Sequence, residues 1–186
     1  MSHFDLLAPF YERVIRPPDP RILAELLELP AETTLLDAGG GTGRVAAVLA
    51  SLVRDIVVSD LSAHMLAEAR DTHGLVAVQA HAEHLPFPTG HFGRILVVDA
   101  LHHFCQAEEA IVELARVLAP GGRMVIEEPN IEEWSVKVLA VAEKLALMRS
   151  RILRPDRIRT LAAAEGLEAH TIRDGYTAWI VAAKPA

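Results

Sequence analysis

Two rhythms of apolar residues alternate along the chain. Short β-branched runs at 33–38, 55–59, 75–80, 94–99 and 123–127 have the length of strands. Between them, apolar residues return every three or four positions, as on the buried stripe of a helix. Val45, Val48, Leu49 and Leu52 fit one such face. Met65, Leu66 and Ala69 fit a second behind a Ser62 N-cap, and Ala110, Ile111, Leu114, Val117 and Leu118 fit a third. Strand alternating with helix predicts an α/β fold on a mostly parallel sheet with crossover helices. The run at 94–99 is almost uninterrupted, as expected of a strand covered on both faces.

Breakers punctuate this pattern. Pro17, Pro18 and Pro20 interrupt a helical preface of about 30 residues that Pro30 closes. Pro120-Gly121-Gly122 stops the third helix, and residues 131–153 read as one long helix or two short ones. A helix at 156–165 ends at Gly166. Two last strands, 168–173 and 177–182, meet at Asp174-Gly175, a hairpin signal. The predicted sheet therefore has seven strands and finishes in an antiparallel hairpin.

The densest chemistry lies where the first strand hands over to a helix, at Asp37-Ala38-Gly39-Gly40-Gly41-Thr42-Gly43. Glycines let the backbone turn sharply and let a ligand approach without a Cβ in the way. Free N–H groups at the helix start are expected to face that ligand. Asp60 ends the second strand, where an acid can accept both hydroxyls of a ribose. Gly41-x-Gly43-x-x-Ala46 also fits a loose dinucleotide fingerprint, so an NAD-dependent oxidoreductase is one alternative. Asp37 argues against it, because a carboxylate beside the turn suits a cationic amino group and repels a pyrophosphate.

The resemblance of these residues is specific. Asp37-x-Gly39-x-Gly41-x-Gly43 resembles the first motif of class I S-adenosylmethionine-dependent methyltransferases. The stretch from Ala82 to Pro88, AEHLPFP, resembles the loop after the third strand in the small-molecule branch of that family. LARVLAPGGR, from Leu114 to Arg123, is similar to the segment leading into the fifth strand, and Lys184-Pro185 also suits the family. The opening, from Phe4 to Tyr11, resembles the start of quinone-biosynthesis methyltransferases.

The resemblance implies a Rossmann-like three-layer sandwich and S-adenosylmethionine as cofactor. It implies that Gly39, Gly41 and Gly43 pack against the amino-acid part, with Asp37 nearby. Asp60 would hold the ribose, Leu61 would lie on the adenine, and His81, Ala82 and Glu83 would flank the adenine edge. Asp99 would line the sulfonium end. Two positions depart from the family pattern: His81 and Gly93 stand where acids are usual. A non-catalytic S-adenosylmethionine-binding module is therefore a second alternative. His102 and His103 follow the fourth strand, and one of them is a candidate catalytic base or substrate anchor. A single domain over 1–186 is expected, with 1–30 as a helical substrate cap and 131–159 as a helical insertion over the pocket.

Composition narrows the partners. The sequence is 51 % hydrophobic and 23 % charged, and its formal net charge of −7 disfavours a general nucleic-acid binder. Arg149, Arg151, Arg154, Arg157 and Arg159 are crowded together, as on a solvated face. Cys105 stands alone, so neither disulfides nor a thiolate metal cage is expected. The nine histidines include no three with metal-ligand spacing. No membrane span or cationic leader is read, which makes the cytoplasm the expected location. A small, apolar or aromatic acceptor is the expected partner, and a homodimer is compatible with the sequence.

Overall fold

The computed structural model describes residues 19–130 and 152–186. The expected substrate cap thus falls largely outside the described residues, as does most of the expected insertion. The described chain runs α1 (Pro20–Leu26), β1 (Ala31–Ala38), α2 (Arg44–Leu49) and a 3-10 turn (Ala50–Leu52), β2 (Val53–Asp60), α3 (Ala63–His73) and β3 (Val76–Gln79). It continues through β4 (Phe92–Val98), a second 3-10 turn (Leu101–His103), α4 (Ala107–Val117), β5 (Leu118–Pro129), α5 (Pro155–Ala164), β6 (Glu168–Asp174) and β7 (Thr177–Ala183).

The strands form one sheet in the order β3-β2-β1-β4-β5-β7-β6. β7 is antiparallel to both of its neighbours, and every other pairing is parallel. The fold is therefore the mostly parallel seven-stranded α/β sheet, closed by a hairpin, that the periodicity predicts. Its apolar strands are continuous because both faces are covered. Leu36, Ile95, Met124 and Ile180 point to one core, under Ile111, Leu114 and Ile158 of α4 and α5. Leu35, Leu96, Val125 and Val181, one residue away, point to the other core with Leu23, Leu49 and Leu66 of α1–α3.

Local signals hold at the caps. The Ser62 hydroxyl accepts the Met65 N–H at 3.3 Å and opens α3. Pro20 starts α1 rather than breaking it, behind an Asp19 cap. Arg94 and Arg123, neighbours in the β4–β5 register, reach the carbonyls of Leu27 and Leu26 and fix the end of α1 to the base of the sheet. Lys184 donates from Nζ to the carbonyls of Ala115 and Leu118, 2.8 Å each, closing α4.

Three details differ from the periodic reading. Val48 is 57 % exposed, and Ala46 supplies the buried position of α2 instead. The short helix turns 3-10 at Ala50 and rotates its face. β5 begins at Leu118, before Pro120-Gly121-Gly122, and its pairing with β4 jumps from Phe92–Leu118 to Arg94–Arg123. The breaker therefore forms an irregularity inside a strand. Gly93 lies within β4, where an added Cβ would meet Thr33 Oγ1 at 2.1 Å. The threonine of β1 fills the space an acidic side chain would need.

Candidate functional site

β1 and β4 are neighbours, yet their connections leave in opposite directions along the sheet, which opens a crevice at their carboxyl ends. A cleft of about 280 Å³ occupies that position, near the lower end of small-molecule sites. Its floor is Gly39 and Gly41, one side is Asp60, Leu61 and Met65, and another is His81, Ala82 and Glu83. Asp99, His103, Phe104 and Cys105 form the far wall.

The glycine turn is shaped by close approach. Gly39 has φ 74°, and a Cβ there would meet Ala100 Cβ at 2.6 Å and the Phe104 ring at 2.9 Å. Gly43 (φ 75°) packs against Leu75, where a Cβ would be 2.6 Å from Cδ1. Four amides of the turn are tied within the protein. Gly39 and Gly40 donate to the Ser59 carbonyl, and Gly43 donates to that of Gly40. Gly41 donates to Asp60 Oδ2 at 3.0 Å. Asp60 Oδ1 accepts the Ser62 N–H at 2.8 Å, so this carboxylate ties the turn to the start of α3.

Acids surround the cleft. Asp37 lies beneath the turn at 1 % exposure, and its Oδ2 is buried with no hydrogen-bond partner among the described residues. Burial pushes its carboxyl up to about 7; the Asp60 charge adds to this, and the Ala46 amide opposes it. Asp99 stands in the left-handed region (φ 50°) and donates its N–H to the Glu127 carbonyl at 2.9 Å. Such backbone strain recurs where a side chain must be aimed at a site. Burial also raises Glu127 to about 7, against the hydrogen bond it accepts from Trp179 Nε1.

Predicted site residues divide into two groups. Gly39, Gly41, Asp60, Leu61, His81, Ala82, Glu83, Asp99 and His103 line the cleft. Asp37, Gly43 and His102 stand behind it. Glu83 accepts the Gln106 N–H at 2.7 Å and so anchors the start of α4, with His81 Nδ1 3.9 Å from its other oxygen. The loop after β3 is stapled by Arg116, which donates to the carbonyls of Leu85 and Phe87 and pairs with Glu113 at 2.7 Å. Met65 and Phe104 were not foreseen. Met65 sits beside Leu66 on α3 but, about 100° round the helix, faces the cleft while Leu66 enters the core.

A family model described as a methyltransferase domain matches residues 36–126. The ubiquinone/menaquinone biosynthesis C-methyltransferase UbiE of Pseudomonas paraeruginosa is 31 % identical over 176 residues, covering 88 % of this chain and 69 % of that one. The chain belongs to the class I S-adenosylmethionine-dependent methyltransferases. The UbiE of Pseudomonas putida is 36 % identical over 118 residues, 58 % of this chain and 46 % of that protein, so the chain matches about half the length of that relative. An S-adenosylmethionine-dependent methyltransferase from Thermotoga maritima superposes with a TM-score of 0.74 at 22 % identity, covering 97 % and 96 % of the two chains. The Bacillus subtilis YcgJ protein gives 0.73 at 24 % identity, covering 83 % and 70 %.

The methyltransferase family's methyl donor fits these residues. It is a cation with an amino-acid end and a nucleoside end. The cleft joins exposed apolar side chains, Leu61 and Met65, to the acids Asp60, Glu83 and Asp99, and the unpartnered carboxyl oxygen of Asp37 is buried behind it. The family's usual acid at Gly93 would meet Thr33, whose Oγ1 lies 2.1 Å from the place its Cβ would take. His81 is exposed and lines the cleft, and a neutral imidazole nitrogen accepts a hydrogen bond as an acid does.

Proposed function

We propose that this chain transfers a methyl group from S-adenosylmethionine to a small, apolar or aromatic acceptor. The observation that carries the reading is the glycine-floored, acid-lined cleft at the carboxyl ends of β1, β2 and β4. When bound, the cofactor supplies an electrophilic methyl on a positively charged sulfur. The chain's work is then to bind, orient and exclude water. Gly39 and Gly41 admit the amino-acid end against the backbone, with Gly43 packing the turn and Asp37 answering the ammonium charge from beneath. Asp60 accepts from the ribose hydroxyls while keeping the turn in place. Leu61 covers one face of the adenine, and His81, Ala82 and Glu83 border its edge. Asp99 faces the sulfonium end. The lining carboxyl groups of Asp60, Glu83 and Asp99 favour a cationic ligand.

His103 is the side chain of the expected pair that reaches the cleft, and it takes a proton from an acceptor that must lose one. His102 lies behind it and acts through position. An aromatic carbon acceptor is supported by the UbiE relatives, whose name is that of a C-methyltransferase of quinone biosynthesis. Acceptor choice is assigned to residues 1–30 and 131–159, which lie largely outside the described residues. The chain joins the second of these at Asn130, whose neighbour Pro129 ends β5 at the sheet's carboxyl edge.

Radiolabelled methyl transfer to a panel of quinols, phenols and small amines tests this reading. Transfer to a ring acceptor that His103→Ala slows at least tenfold is expected. Cofactor binding with no transfer to any member would favour a binding module without turnover.

A further inference from the structure

Behind the far wall of the cleft lies a pair of side chains that methyl transfer does not use directly. Glu128, near the end of β5, and His102, in the 3-10 turn, are each 2 % exposed. Glu128 Oε1 accepts the Leu101 backbone N–H at 2.8 Å, and Oε2 lies 2.7 Å from His102 Nδ1. The other ring nitrogen, Nε2, is 4.0 Å from Oδ1 of Asp99, a residue of the cleft wall. The rings of His102 and His103 are 4.0 Å apart between centroids, so the buried ring also backs the one in the cleft.

We propose that Glu128 is a positioning residue that fixes the His102 ring with its proton on Nδ1 and Nε2 turned to Asp99. The pair at 2.7 Å needs one donor, and with Nδ1 in that role both Glu128 oxygens act as acceptors, as Oε1 already does toward Leu101. The same carboxylate holds Leu101, so the turn and the ring are set by one group on a rigid strand. What Glu128 determines is the character of the ring edge that faces Asp99, at the sulfonium end of the cleft. That consequence rests on the methyl-transfer reading; the placement of the proton does not.

Glu128→Gln separates this role from simple packing. The Leu101 N–H is a fixed backbone donor, so the amide must turn its oxygen there and its NH2 to His102. Both hydrogen bonds survive, but Nδ1 now has to accept, and the proton leaves it.

Ring 15N spectra of the labelled full chain, with the His102 signals assigned by their loss in His102→Gln, read this directly. The expected result is a protonated Nδ1 in the unmodified protein and a bare Nδ1 in Glu128→Gln. A bare Nδ1 in the unmodified protein overturns the proposal whatever the variant does. A proton retained on Nδ1 in Glu128→Gln overturns it too. S-adenosylhomocysteine titrated into the same two samples keeps the questions apart. If the proton moves and neither sample binds, the positioning role stands and the cofactor reading fails.

Discussion

Replacing Asp37 by asparagine removes a charge from the most enclosed position near the cleft and keeps the shape. The folded protein holds this carboxyl at about 7 against an ordinary 3.8, chiefly through burial. Between pH 4 and 7 the folded chain thus keeps a proton that the unfolded chain has released, and stability falls as pH rises. At about 1.4 kcal/mol per pH unit, the gap amounts to about 4 kcal/mol by pH 7 and stays constant above it. The amide of the variant has no proton to lose. The stability advantage of Asp37→Asn over the parent is therefore expected to grow by about 1.4 kcal/mol per pH unit from pH 4 to 7, then level off. Urea unfolding of both proteins at several pH values measures the difference, and other titrating groups such as Glu127 cancel in it. A difference independent of pH would refute the argument that Asp37 is a desolvated acid. The gain in stability is expected to come with weaker S-adenosylhomocysteine binding, because the same carboxylate answers the ligand's ammonium.

Two further substitutions probe the surroundings. Asp60→Ala removes the acceptor of the Gly41 and Ser62 amides as well as that of the ribose. Calorimetry should find S-adenosylhomocysteine binding weaker by roughly 1.5–3 kcal/mol, the range for hydrogen bonds to a charged group, and unchanged affinity would remove Asp60 from the ribose. Gly93→Asp, which restores the acid usual in the family, should lower stability by about 1–3 kcal/mol through overpacking against Thr33. Thermal melts should show Thr33→Ala recovering most of that loss; a neutral Gly93→Asp would mean that Thr33 yields freely.

The sheet was legible because its strands are apolar on both faces and its breakers fall between elements. Ser62, Asp174-Gly175 and the glycine turn each carry their meaning within a few residues. What could not be read depends on partners distant in sequence. Nothing near Gly93 indicates that Thr33 occupies its space, and nothing near Glu128 indicates a ring 26 positions earlier. The glycine amides lie at a strand-to-helix turn, which often leaves such groups open. Asp60 and Ser59, brought alongside by β2, take them instead. His102 and His103 are indistinguishable as neighbours in the chain, but a 3-10 turn sends one into the core and the other to the cleft.

The central claim is that the cleft binds the nucleoside and amino-acid ends of S-adenosylmethionine. Calorimetric titration of the full chain with S-adenosylhomocysteine, with NAD in parallel, tests it most directly. Micromolar binding of S-adenosylhomocysteine alone, about −8 kcal/mol, is expected, weakened by Asp60→Ala and retained in His103→Ala. Binding of NAD in its place, or of neither ligand, would contradict the account.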